Sequence, residues 1–155
     1  MKLKELFEAK GKSVADLNIH YKAGHFDCGG DKLISLAGAP RQVDGYFDCS
    51  NNQLTSLEGA PEKVHGDFRC HFNKLTSLKD AHKHIDEING NFYAANNPIG
   101  SHVLGLLLIK GIRRIYLDNT QVQKILNTHL GKGRAGMLQA QEELIEAGLE
   151  EFAQL

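Results

Sequence analysis

Hydrophobic residues recur along the middle of this chain at a fixed interval. Phe26, Phe47 and Phe68 lie 21 residues apart, and so do Cys28, Cys49 and Cys70. Residues 24–44 (GHFDCGGDKLISLAGAPRQVD), 45–65 (GYFDCSNNQLTSLEGAPEKVH) and 66–86 (GDFRCHFNKLTSLKDAHKHID) align without gaps. Each copy carries Phe, Cys two later, Asn or Asp three after that, and Leu two further on. The quartets are Phe26/Cys28/Asp31/Leu33, Phe47/Cys49/Asn52/Leu54 and Phe68/Cys70/Asn73/Leu75, with a fourth, Phe92/Ala94/Asn97/Ile99, after a short insertion. Ile115/Leu117/Thr120/Val122 form a degenerate fifth. Phe-x-Cys has period two, so both side chains point to one face of a short strand. Strands that short bury a core only by stacking side by side in parallel. Asn52 and Asn73 then sit where the chain leaves the strand, placed to bond the backbone of adjacent turns. Leu54, Leu57, Leu75 and Leu78 close the core from the other side. Gly-Ala-Pro at 38–40 and 59–61 marks the return bend, and Gly45, Gly66 and Gly90 stand where backbones approach closely.

The spacing L-x-L-x-x-N-x-L resembles the leucine-rich-repeat family over residues 24 to about 122. The resemblance implies an α/β fold: a short leucine-rich-repeat solenoid with a parallel concave sheet, capped by N-terminal and C-terminal helices. The expected division is a cap over 1–23, repeats over 24–122 and a helical cap over 123–155. Leu3, Leu6 and Phe7 share one helical face within 2–10, and Leu17, Ile19 and Tyr21 alternate as in a covering strand. Ser101 to Lys110 reads as a true helix. Val122, Ile125 and Leu126 mark another, and 134–154 one or two more, with Met137, Leu138, Leu144, Ile145, Leu149 and Phe152 inward. Gly148 breaks the last element, and Glu142, Glu143, Glu146, Glu150 and Glu151 make its outer face acidic.

Charge narrows the function. Among 155 residues, 18 Lys+Arg against 19 Asp+Glu leave a net charge of −1, unlike the basic footprint of a general phosphate-backbone binder. No apolar run reaches the length of a membrane span, and the first ten residues lack the continuous apolar core of a signal peptide. A cytoplasmic protein is expected. The three cysteines share one inward repeat position and read as small core residues, without a disulfide. Four histidines, His65, His71, His82 and His84, crowd the third repeat near Cys70. They lack C-x-x-C partners, and Cys70 is expected inward where His71 is expected outward, so no metal and no cofactor are expected. Asp27 and Asp48 fall on adjacent rungs but open to water, and no nucleophile-elbow, zinc-protease or phosphate-loop motif is present. Gly131-Lys132-Gly133-Arg134 reads as a linker between helices. No catalytic residue is assigned and no enzymatic role is expected.

The outward strand positions carry what remains. They are His25, Tyr46, Asp67, Asn91 and Arg114 before the Phe position. Asp27, Asp48, Arg69, Tyr93 and Tyr116 lie between the two inward positions, and Gly29, Ser50, His71, Ala95 and Asp118 after the second. Tyr and Arg are the types enriched at binding hot spots. The partner-binding set is therefore Tyr46, Asp48, Arg69, His71, Tyr93, Arg114 and Tyr116, and the expected activity is non-enzymatic binding of a protein through this face. The alternative is a nucleic-acid accessory protein using the Arg/Tyr half of the face, Arg69, Arg113, Arg114, Tyr93 and Tyr116, which the acidic half opposes. An effector ligase is not expected, because no length for a catalytic domain follows residue 122. The compact repeat, together with the ending QEELIEAGLEEFAQL, is similar to small leucine-rich-repeat proteins of tailed bacteriophages. That similarity implies action in the bacterial host cytoplasm on a host protein or defence component, with inhibition one outcome of binding. Cys49→Asp is expected to unfold the chain by burying a charge, read as loss of the circular-dichroism signal.

Overall fold

A computed structural model describes residues 11–17 and 24–155. It is an α/β arrangement of parallel sheets with a few helices. The expected helix over 2–10, and Ile19 and Tyr21, lie outside the described residues. The strands are short: β1 (Lys12–Ser13), β2 (Phe26–Asp27), β3 (Leu33–Ser35), β4 (Gln42–Val43), β5 (Phe47–Asp48), β6 (Lys63–Val64), β7 (Phe68–Arg69), β8 (Glu87–Ile88), β9 (Phe92–Tyr93) and β10 (Ile115–Tyr116). Strands β2, β5, β7, β9 and β10 form one five-stranded parallel sheet, ordered along it as they are along the chain. The pairing is in repeat register: Phe26 opposite Phe47, Phe47 opposite Phe68, Phe68 opposite Phe92, and Phe92 opposite Ile115.

A second parallel sheet, β4-β6-β8, is built by the return segments that the sequence reads only as bends. Val43, Val64 and Ile88 face inward from it and are fully buried. The core lies between the two sheets. Phe47, Phe68 and Phe92 are fully buried, with centroids 5.1 and 5.5 Å apart, and Phe26 joins their column at 5.6 Å. Phe26 on Phe47 and Phe68 on Phe92 are near-parallel, at 14° and 19°, whereas Phe47 and Phe68 are tilted by 40°; such ring contacts add to the burial of their own area. Cys28, Cys49 and Cys70 are buried beside them, and each thiol donates to a carbonyl of the next rung: Asp48 at 3.3 Å, Arg69 at 3.4 Å and Tyr93 at 3.3 Å.

The Asn position joins the rungs as the sequence suggests. Leu54 N–H donates to Asn73 Oδ1 at 3.0 Å, while Asn73 Nδ2 donates to the carbonyls of Cys49 at 3.0 Å and Cys70 at 3.1 Å. Asn52 does the same for Leu33 N–H and the carbonyls of Cys28 and Cys49, and Asn97 for Leu75 N–H and those of Cys70 and Ala94. A Cβ at Gly66 would stand 2.8 Å from the Gly45 carbonyl carbon, and one at Gly90 would stand 2.6 Å from that of Gly66. The rungs at this corner therefore stack only through glycine.

Four readings of helical or loop segments are corrected. Ser101–Lys110 is no α-helix: one 3-10 stretch, Leu104–Leu108, carries Leu104, Leu106 and Leu107 into the core. Residues 103–107 are buried without a break, more of the segment than one face of an α-helix presents. Leu17 follows a 3-10 turn (Val14–Asp16) rather than lying in a strand, and the pairing at this end is β1 with β3. Thr120 is the exposed first residue of helix α2 (Thr120–His129), because Asn119 caps that helix through Val122 N–H at 3.0 Å. In helix α3 (Gly133–Glu146), Met137 and Leu144 are inward, but Leu138 and Ile145 are 47% and 50% exposed. The helix buries a narrow stripe of Gly136, Met137, Ala140 and Leu144, and 138 and 145 fall off it. A single turn, α1 (Ala81–His84), replaces the third Gly-Ala-Pro. Helix α3 ends before Gly148, which has φ +72°. His129, buried in α2, meets Glu143 of α3 at 2.8 Å and joins the two helices.

Asn73→Ala is expected to lower the unfolding free energy by about 2–4 kcal/mol, since it strands a buried N–H and removes two donors. Urea denaturation checks this. A loss below 0.5 kcal/mol, roughly the smallest net worth of one hydrogen bond, contradicts the structural role given to the column.

Candidate functional site: the outward face of the five-stranded sheet

The register that buries Phe and Cys turns the alternate residues outward. Tyr46, Asp48, Arg69, Tyr93 and Tyr116 are all half-buried on this face, and Arg114 is exposed. The side chains form two stacked groups. In the first, the His25 and Tyr46 rings lie 4.1 Å apart with planes 13° from parallel. His25 Nδ1 also accepts the Tyr46 backbone N–H at 3.0 Å. The Arg69 guanidinium sits 4.6 Å from the Tyr46 ring centroid. It is flanked by Asp67 at 3.3 Å and Asp48 at 3.8 Å. A planar cation over a ring and between two carboxylates is a geometry that Arg holds and Lys does not. In the second group, the Tyr93 and Tyr116 rings lie 4.7 Å apart with planes 3° from parallel, and Asn91 Nδ2 donates to the Tyr93 hydroxyl at 3.1 Å.

The carboxylates are engaged one by one. Asp27 Oδ1 accepts Gly29 N–H at 3.0 Å, and Asp48 Oδ1 accepts both Ser50 N–H and the Ser50 hydroxyl. Asp67 Oδ1 accepts Asn91 N–H at 2.9 Å, and Asp118 accepts Asn96 N–H through both oxygens. Each closes a turn or tethers a neighbouring rung. Ser50, expected outward, is buried, because its hydroxyl turns back onto Asp48. His71 lies half-buried at the edge of the face, its ring edge-on to Phe72 at 5.7 Å between centroids, and its Nδ1 has no hydrogen-bond partner among the described residues. The structure therefore brings Tyr46, Asp48 and Arg69 into one cluster and Tyr93 with Tyr116 into another. His71 stands at the rim, and Arg114 extends from the strand end.

Three features escaped the sequence reading. One is the role of Asp67 in holding both Arg69 and the next rung. The second is how the sheet ends. Each strand N–H donates to the following rung, so those of β10 have no further strand. Ile115 N–H donates instead to Asn127 Oδ1 and Leu117 N–H to Gln123 Oε1, both at 2.8 Å, and Asn127 Nδ2 returns a bond to Ile115 O. Two amides four residues apart on a helix were the available signal, since that spacing puts them on one face. The third is Phe72.

Among the described residues, no three His, Cys, Asp or Glu side chains converge as metal ligands would. No helix among them is long and apolar enough to cross a membrane. Comparison with protein-family models, curated proteins and solved structures finds no match.

The buried thiols sit apart from this face. Burial pushes Cys28 up to about 12, helped by the nearby carboxylates of Asp31, Asp27 and Asp48, and it also raises Cys49 and Cys70. The folded state keeps these protons where the unfolded chain, with a thiol value of 9.0, releases them. The thiol contribution to stability is thus whole below about pH 9 and declines as pH rises toward about 12. Cys28→Ala is expected to flatten that alkaline decline in chemical denaturation between pH 9 and 11, roughly the window in which the unfolded thiol ionises first.

Proposed function

We propose that this chain is a short leucine-rich-repeat solenoid acting as a non-enzymatic binding module. Its outward sheet face recognises a protein through Tyr46, Asp48, Arg69, His71, Tyr93, Arg114 and Tyr116. The repeat spacing, the in-order parallel strands and the Asn column support the architecture. The observation that carries the function is the pre-assembled stacking of Arg69 on Tyr46 and of Tyr93 on Tyr116. Rotamer-rich side chains normally lose about 0.5–1.5 kcal/mol each when an interface immobilises them. Here that ordering is already met inside the free protein. Tyr and Arg held this way are suited to the centre of an interface.

The resemblance read in the compact repeat and the ending QEELIEAGLEEFAQL, to small leucine-rich-repeat proteins of tailed bacteriophages, points to a host protein or defence component as partner, met in the bacterial cytoplasm, with inhibition one consequence of occupancy. Nucleic acid fits the face less well. Asp27, Asp48, Asp67 and Asp118 occupy outward positions against Arg69 and Arg114, so a phosphate backbone would meet more repulsion than attraction.

The test is an affinity pull-down from bacterial lysate, comparing wild type with Arg69→Ala/Tyr93→Ala. Both side chains lie outside the core, so the variant should keep its thermal midpoint within about 4 °C. A protein retained by wild type and lost by the variant is the expected result. Equal retention rejects the sheet face as the interface. Recovery of nucleic acid alone, released steeply by salt, replaces the reading with the alternative.

A further inference from the structure

The backbone two residues past each inward Cys or Ala passes through the left-handed region. Gly30 has φ +77°, Asn51 +56°, Phe72 +52° and Asn96 +57°. Gly and Asn are the residues that tolerate this conformation, whereas a bulky side chain there is an outlier. Phe72 is the exception in the column. The residue is also 51% exposed, flanked along the column by the exposed Asn51 and Asn96. Among the described residues its aromatic contact is the edge-on approach of His71. The chain therefore bears backbone strain at this turn while about half of the residue's surface stays in water. Strain that the fold itself does not use marks a place where function selects the residue.

We propose that Phe72 is the anchor of the partner interface, inserting its ring into an apolar pocket of a folded protein whose rim is basic. The inference rests on the protein-binding reading above and extends it from the sheet face to the adjoining turn. Phe72 follows directly on His71, at the edge of the Tyr46–Arg69 cluster. A phenyl ring carries a large apolar area with few rotors, which suits an anchor ringed by polar contacts. The polar ring is present on this side: Asn51, Asn96 and His71. With Asp48 and Asp67 both set against Arg69, the outward positions leave Asp27 and Asp118 against Arg114, a balance that favours a cationic pocket rim over a polyanion.

The anchor predicts opposite effects of one substitution. Phe72→Asn relieves the strained turn and should raise the thermal midpoint by about 2–4 °C. It should also weaken the partner complex by roughly 30-fold or more, the loss typical of a hot-spot residue. Phe72→Gly is the second variant, with the same two signs. The partner is obtained by placing a benzophenone-bearing phenylalanine at position 72, and separately at position 93, of the full chain in bacterial lysate, then purifying the crosslinked protein for titration. A common crosslinked protein whose affinity drops on Phe72→Asn, while the midpoint rises, supports the anchor. A lowered midpoint in both variants overturns it, because Phe72 would then be holding the fold. Unchanged affinity, or a crosslink at 93 but not at 72, overturns the anchor and leaves the sheet-face reading standing. Affinity lost on Phe72→Asn but kept by Arg69→Ala/Tyr93→Ala supports the anchor and rejects the sheet face. A crosslink to nucleic acid alone, or to nothing at either position, rejects both.

Discussion

The side-chain amides of Asn52, Asn73 and Asn97, one in each of the second to fourth repeats, are the constraint on which the rest depends. A two-residue strand satisfies few backbone groups, and the turn that follows it carries an N–H and two carbonyls into the interior. Buried and unpaired, each would cost about 1–3 kcal/mol. Asn52, Asn73 and Asn97 answer all three with one acceptor and two donations, and they do so across the gap between neighbouring rungs. No apolar residue could stand there, and an aspartate would supply acceptors without the donors. Each amide ties its own rung to the one before it, so the rung spacing is fixed from inside the corner.

That fixed spacing positions the outward face. Because Phe47, Phe68 and Phe92 stack in register inside, Tyr46 falls beneath Arg69, and Tyr93 falls beside Tyr116. The carboxylates of Asp48 and Asp67 are held in turn by Ser50 and Asn91 before they meet the guanidinium. The order runs from corner amide to strand register to side-chain stack. A face assembled this way presents rings and a cation at set separations, with little left to order on binding. The same logic explains the end of the sheet, where Asn127 and Gln123 take the place of the missing rung.

Much of this was legible in the sequence, for a physical reason. A repeat that recurs without gaps over three copies fixes inside and outside for every strand residue, so the Phe, Cys and Leu positions and the Asn ladder could be read directly. The outward set followed by subtraction. Ser101–Lys110 was misread because an unbroken apolar run has no face: its leucines are drawn inward from several directions, which a 3-10 stretch permits. Leu138 and Ile145 were misassigned because a helix at the end of a stack buries less of its circumference than one inside a core. Ser50 shows a further limit: a hydroxyl beside a carboxylate folds back, and alternation alone does not reveal it. Phe72 was visible only as a residue breaking a column of Gly and Asn, and its backbone angle gave that break its meaning.

The most direct test of the account is native-state hydrogen exchange at the amides of Leu33, Leu54 and Leu75. These N–H groups are bonded to side-chain oxygens of Asn52, Asn73 and Asn97. If the amide column fixes the rungs, all three exchange as slowly as Phe47 and Phe68 in the sheet, and through the same global opening. Exchange of the three leucines by local fluctuation, while the strand amides stay protected, would mean that the column decorates a stack held together by other forces.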